Sequence, residues 1–89
     1  MTFVVRTPDA VVAHGDCEFV VVVTTRGEIG VLPEHAPLVA TVSPGELRVT
    51  SGGRETRVRV QEGLVEVLDN VVTLFVGSGE AAASGQKTI

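Results

Sequence analysis

The sequence has no tryptophan, no tyrosine, one cysteine, one methionine and three phenylalanines in 89 residues. A single cysteine, Cys17, makes no internal disulfide, which removes the staple that small secreted domains lean on and favours a reducing compartment. With so few large side chains the interior must be built from aliphatic residues. A chain this short buries only about two-thirds of its unfolded surface, so one modest core fits and a deep cleft between lobes does not. Basic residues are also scarce: seven Lys and Arg stand against eleven Asp and Glu, for a net charge of −4. They are dispersed, leaving no electrostatic footprint for a phosphate backbone, so nucleic acid is not an expected partner. No apolar run approaches the roughly 18 residues that cross a bilayer, and MTFVVRTPDA has no long apolar stretch behind a basic start. The chain reads as neither exported nor membrane-spanning.

What the chain does have is valine, about a fifth of all residues. Its β-branch suits a pleated surface and is slightly disfavoured in helices, so the composition predicts an all-β domain. Thr2 to Arg6 is a first strand, stopped by Thr7-Pro8-Asp9, and Ala10 to Ala13 a second. His14-Gly15-Asp16 reads as a turn or bulge leading into Cys17 to Thr25. The centre of that third strand, Phe19 to Val23, is apolar at both parities, which implies cover on both faces. A polar break at Thr25 to Glu28 precedes Ile29 to Leu32, and Pro33-Glu34-His35-Ala36-Pro37 is a stiff loop. Leu38 to Val42 is extended again. Ser43-Pro44-Gly45-Glu46 then carries Pro and Gly at the two central positions of a type II turn.

Two hairpins follow. Glu46 to Thr50 and Arg54 to Gln61 alternate cleanly around Gly52-Gly53, with Leu47, Val49, Thr56, Val58 and Val60 facing one way. Gly63 to Leu68 and Val71 to Val76 flank Asp69-Asn70, residues that accept left-handed geometry. The tail from Gly77 to Ile89 has glycines around one short alanine run, supports at most a turn or two of marginal helix, and is expected to be disordered. Strands every 8 to 12 residues predict a flattened antiparallel β-sandwich or barrel of about ten short strands spanning residues 1–76, followed by a tail over 77–89.

Little of this points to catalysis. His14, Asp16 and Cys17 hold the residue types of a thiol hydrolase, but in an extended segment 14 and 16 share a face while Cys17 points away. A buried structural cysteine is the simpler reading. His14 and His35 have no ligand spacing around them, so no metal site is expected. The glycines match no phosphate-binding loop, so no nucleotide site or cofactor is expected either. Arg48, Arg54, Arg57 and Arg59 lie among Glu46 and Glu55, which suggests a solvated mixed-charge face. His35, between two prolines, can either hydrogen-bond its own loop or carry a contact.

The run Gly27-Glu28-Ile29-Gly30-Val31-Leu32-Pro33-Glu34-His35-Ala36-Pro37-Leu38-Val39, then Pro44-Gly45, Gly63-Leu64-Val65-Glu66-Val67 and Asn70-x-Val72-Thr73, resembles the epsilon subunit of F-type ATP synthases. The resemblance covers residues 3 to 76. It implies the family's N-terminal sandwich and a non-catalytic rotor subunit of the central stalk, coupling the gamma subunit to the c-ring at the cytoplasmic face of a bacterial inner membrane or the equivalent organellar face. Contact with the membrane would then be through the complex alone. By the same resemblance Glu28, Ile29 and Gly30 lie in a loop facing the c-ring, while Thr7, Val12 and His35 face gamma. Adjacent apolar residues at Val11-Val12 agree with an outward contact. Glu34 departs from the small or neutral residue common in the family. Length departs further, and implies a subunit without the helical hairpin that inhibits ATP hydrolysis or senses ATP. The competing expectations are an unrelated β-sandwich module that binds a protein or ligand through its proline loop, and a hydrolase using Cys17.

Overall fold

Alternating aliphatic residues shape the chain into ten strands in a computed structural model that describes residues 1–81. In order these are β1 (Thr2–Arg6), β2 (Val11–Asp16), β3 (Phe19–Thr24), β4 (Gly27–Val31), β5 (Leu38–Val42), β6 (Gly45–Ser51), β7 (Arg54–Val60), β8 (Gly63–Leu68), β9 (Val71–Val76) and β10 (Gly79–Ala81). Their hydrogen-bonded order is β10-β7-β6-β3-β5-β8-β9-β1-β2, with β4 on the far side of β3. The β3–β5 link is a single residue pair, Thr24 with Val42. There the sheet folds over into two layers, β4-β3-β6-β7-β10 and β5-β8-β9-β1-β2. β10 also lies close to β2, so the structure nearly closes into a barrel.

The core between the layers is aliphatic with one aromatic ring. Phe3, Val5, Val20, Val22, Val31, Leu47, Val49, Val58, Val65, Val67, Val72 and Leu74 are all at most 1% exposed. Each contributes roughly 1.5–3 kcal/mol by leaving water, so a domain with a single buried aromatic still has an adequate interior. Period-two burial along β1, β3, β6, β8 and β9 leaves the alternate residues facing outward.

Both hairpins form as the turn chemistry predicts. Gly52 and Gly53 have φ of 60° and 76°, Asp69 and Asn70 φ of 52° and 65°, so each turn has two central residues in left-handed geometry, the type I′ signature that matches strand twist. The all-β reading holds, and the pairings are antiparallel except that β1 runs parallel to β9. Three local expectations change. His14-Gly15-Asp16 is not a turn but the end of β2, paired with β1 as far as Asp16 with Thr2. The break falls at Cys17-Glu18, whose N–H groups donate to the Met1 and Thr50 carbonyls. Gly45 lacks the positive φ of a type II turn and opens β6 instead. The chain turns a corner between layers there, with the Ser43 N–H on the Val23 carbonyl. Finally, the tail expected to be loose from Gly77 contributes β10, whose Gly79, Glu80 and Ala81 pair with Val60, Arg59 and Val58. Pairing of this kind is made by backbone groups and needs no apolar pattern to announce it. The rest of the tail lies outside the described residues.

Candidate functional site

The turns gather at two ends of the sandwich. One end carries the Thr7–Ala10 turn, the β3–β4 turn, the Ser43 corner and the Gly77–Ser78 segment. The other carries Cys17-Glu18, the proline loop, Gly52-Gly53 and Asp69-Asn70, linked by Thr2 N–H to the Asn70 carbonyl and Gly52 N–H to Glu18 Oε2.

Glu28, Ile29 and Gly30 are not in a loop. They are consecutive residues of β4, paired with Val23, Val22 and Val21, because the β3–β4 connection is a tight turn at Thr25-Arg26. Gly27 at φ 110° and the Thr24 hydroxyl, which donates to the Gly27 carbonyl at 2.7 Å, close that turn. Alternation then splits the trio. Ile29 turns inward and packs against the core. Glu28 and Gly30 face out. Gly30 lies under the Phe19 ring: a Cβ there would stand 3.0 Å from Phe19 Cε1 and Cζ. Glu28 Oε1 accepts a hydrogen bond from Arg48 Nη2 at 3.1 Å.

Thr7, Val12 and His35 do not converge. Thr7 Oγ1 accepts the Asp9 and Ala10 N–H groups, so its side chain closes the β1–β2 turn. Val12 is half-buried against the core and lies beside Gly79. Its neighbour Val11 is the exposed member of the pair, at 44%. His35 is exposed at the opposite end from Thr7. Its Nδ1 hydrogen-bonds the Ala36 carbonyl oxygen at 2.6 Å and its N–H donates to Leu32, so the loop is held by its own groups and His35 presents an exposed edge.

Cys17 sits in the core at 5% exposure. Burial pushes its thiol above the ordinary value, partly opposed by the N-terminal ammonium, with Asp16 and Glu18 pushing the same way as burial. His14 is exposed on the outer face beside Val4. A protonated thiol with no adjacent imidazole is a poor nucleophile, and the hydrolase reading loses its geometry.

The two outer faces differ in character. On β4-β3-β6-β7, Glu28, Arg48, Glu46, Arg57 and Glu55 form a charged lattice: Arg57 binds Glu46 and Glu55 at 3.3 and 3.2 Å, as a mixed-charge face predicts. The hydrogen bond and charge of Glu55, then the charge of Glu46, raise the Arg57 pKa further. On β5-β8-β9 large apolar residues stand outward, with Val39 67% exposed and Leu64, Leu68 and Phe75 nearly half, interspersed with Thr41, Glu66 and Thr73 on the same face. Leu64 and Phe75 are direct cross-strand partners. Sequence reading passed over this face, although Leu64-Val65 and Phe75-Val76 are apolar at both parities, the signal that marked β3.

Among known proteins, residues 1–82 match the family described as the ATP synthase delta/epsilon chain, beta-sandwich domain. The ATP synthase epsilon chain of Alkalihalophilus pseudofirmus is 45% identical over 76 residues, covering 85% of this chain and 57% of that protein. The epsilon chain of Desulfitobacterium hafniense is 40% identical over 81 residues, covering 89% and 61%. The chain therefore spans about three-fifths of the length of these relatives. Among solved structures, a chain of the Euglena gracilis mitochondrial ATP synthase, resolved with its OSCP, F1 and c-ring, superposes with a TM-score of 0.81 at 24% identity, over 89% of this chain and 51% of that one. A chain of the Tetrahymena thermophila mitochondrial ATP synthase central stalk and c-ring superposes at 0.73 and 17% identity, over 97% and 73%; both likenesses are of fold. With a match over every described residue, and the G-E-I-G-V strand and proline loop in place, the chain belongs to the ATP synthase delta/epsilon family through its β-sandwich domain.

Proposed function

We propose that this chain is a non-catalytic central-stalk component of an F-type, proton-translocating ATP synthase, held against the gamma subunit and resting on the c-ring during rotary ATP synthesis. The observation that carries this reading is the set of exposed large apolar residues on β5, β8 and β9, with Val39, Leu64 and Phe75 on one side of one sheet layer around Glu66. A group of this kind on a small domain is the mark of a protein partner, and gamma is the partner we propose. Thr7 and His35 bound that face at its two ends and Val11 takes the outward role first expected of Val12. Glu28 and Gly30, on the opposite, charged layer, face the c-ring; Ile29 supports them from within. The site needs no cofactor, and attachment to the membrane is through the complex, at the cytoplasmic face of a bacterial inner membrane or its organellar equivalent. Leu64→Asp places an unpaired charge in the apolar contact. It should abolish co-purification with gamma while leaving the thermal transition of the isolated domain within a few degrees. Undiminished gamma binding by Leu64→Asp together with Phe75→Asp would place the gamma contact elsewhere.

A further inference from the structure

Glu28 and Arg48 are two strands apart, on β4 and β6, with β3 between them. Val21 pairs with Gly30 on one side and with Arg48 on the other. Glu28 pairs with Val23, two residues on from Val21, so the Arg48 guanidinium reaches diagonally across β3 to the carboxylate of Glu28, which it meets at 3.1 Å. On its other flank Arg48 stands directly opposite Arg57, a like-charge neighbour that is destabilising unless compensated. Glu46 and Glu55 compensate Arg57, which leaves Glu28 as the counter-ion of Arg48. Both partners still face solvent, with side chains 59% and 35% exposed. Glu28 Oε2 and the remaining Arg48 N–H groups have no partner among the described residues.

We propose that Glu28 and Arg48 form one electroneutral contact unit, and that Arg48 is the positioning residue that makes Glu28 a dipolar rather than an anionic contact. The inference rests on the reading that this face meets the c-ring. It specifies the chemistry of the loop that fits: net neutral, offering one donor to Glu28 Oε2 and one acceptor to Arg48, rather than a cluster of positive charge. A basic loop would be repelled by Arg48 as much as it was drawn by Glu28.

The test is attachment of the purified protein to a gamma–c-ring subcomplex, measured for Glu28→Gln, Arg48→Gln and the double variant between 50 and 300 mM salt, all nominal conditions of about the range in which exposed charges are screened. Each single change strands one charge and should weaken attachment about two- to fivefold, the span expected for exposed ion pairs, with a salt dependence the unaltered protein lacks. The double variant, whose two amides keep a donor and an acceptor, should recover most of the loss. If Glu28→Gln weakens attachment, Arg48→Gln strengthens it and the double variant follows Glu28→Gln, the contact is anionic and the inference is overturned. Glu28→Trp separates that failure from a deeper one. A block by this bulky side chain keeps the face at the ring, whereas no effect from it or from any charge variant overturns the ring contact and the inference together.

Discussion

Asn70 Oδ1 accepts the backbone N–H of Glu34 at 2.9 Å, joining the β8–β9 turn to a loop 36 residues away in sequence. Both residues have positive φ, 65° and 67°, so each turn is held in a strained geometry and the bond fixes one against the other. The loop that carries His35 is therefore anchored from outside as well as by its prolines.

Asn70→Gly keeps the backbone geometry and removes the acceptor. It should cost about 1 kcal/mol, the net worth of one hydrogen bond, and speed amide exchange at Glu34 and His35 with little change elsewhere. Asn70→Ala should cost about 1 kcal/mol more, because alanine resists left-handed geometry. Equal costs for the two would mean the turn tolerates alanine and the bond is the whole effect. Thermal or urea unfolding distinguishes the cases.

Two glycines without positive φ separate close approach to backbone from close approach to a side chain. A Cβ on Gly63 would collide with the Phe75 carbonyl oxygen and lie 2.8 Å from Val76 Cα, on strands that pair Gly63 with Val76. Gly63→Ala should cost about 3 kcal/mol or more, in the range of severe overpacking. Gly30→Ala meets only the rim of the Phe19 ring, and that ring, 36% exposed, can turn aside. Its cost should stay below about 1 kcal/mol. Circular dichroism melts of the pair suffice.

Cys17 links burial to alkaline stability. The folded thiol is raised above its ordinary value of 9.0, chiefly by burial, so near that value the folded state holds the proton more tightly than the unfolded state. Stability from this group is complete below pH 9 and falls as pH rises past it. Cys17→Ala should flatten this alkaline decline. Thiol labelling at neutral pH should be far slower in the native protein than in urea. Rapid native labelling would show that the thiol is accessible and not held in the core.

Val11 and Val12 should divide stability from binding. Val12 packs against the core and Gly79, so Val12→Asp should destabilise the domain by about 2 kcal/mol through a buried charge. Val11→Asp should stay within about 0.5 kcal/mol of the original and weaken gamma binding. Denaturant titration alongside a pull-down gives both numbers. Equal destabilisation by the two would show that Val11 is also structural.

Local chemistry was readable wherever it was decided by two or three residues. Gly52-Gly53 and Asp69-Asn70 specify their turns because few other residues accept those dihedral angles, and alternation then orients Leu47, Val49, Val65 and Val67 inward. Layer topology was less accessible. Pro44-Gly45 resembles a reversal, but the partner of β5 is β8, not β6, and no neighbouring residue records that choice. The parallel pairing of β1 with β9 is invisible for the same reason. At the site, Glu28 was identified by resemblance, whereas its partner Arg48 lies 20 residues on and is reached only through the register of β3. Ile29 was misplaced because a loop was expected where alternation runs on, which turns every second residue inward.

The first strand is clamped between β2 and β9, and its parallel partner is near the end of the described chain, with Thr2 beside Val71. During synthesis β1 emerges ahead of the other described strands of this domain and waits for almost all of them before its second edge is satisfied. Until then one edge is a row of unpaired amides and carbonyls, open to mispairing. Contacts this distant in sequence slow folding. The domain is thus completed by its last hairpin, and premature termination anywhere before Val76 should leave an aggregating fragment, not a smaller sandwich.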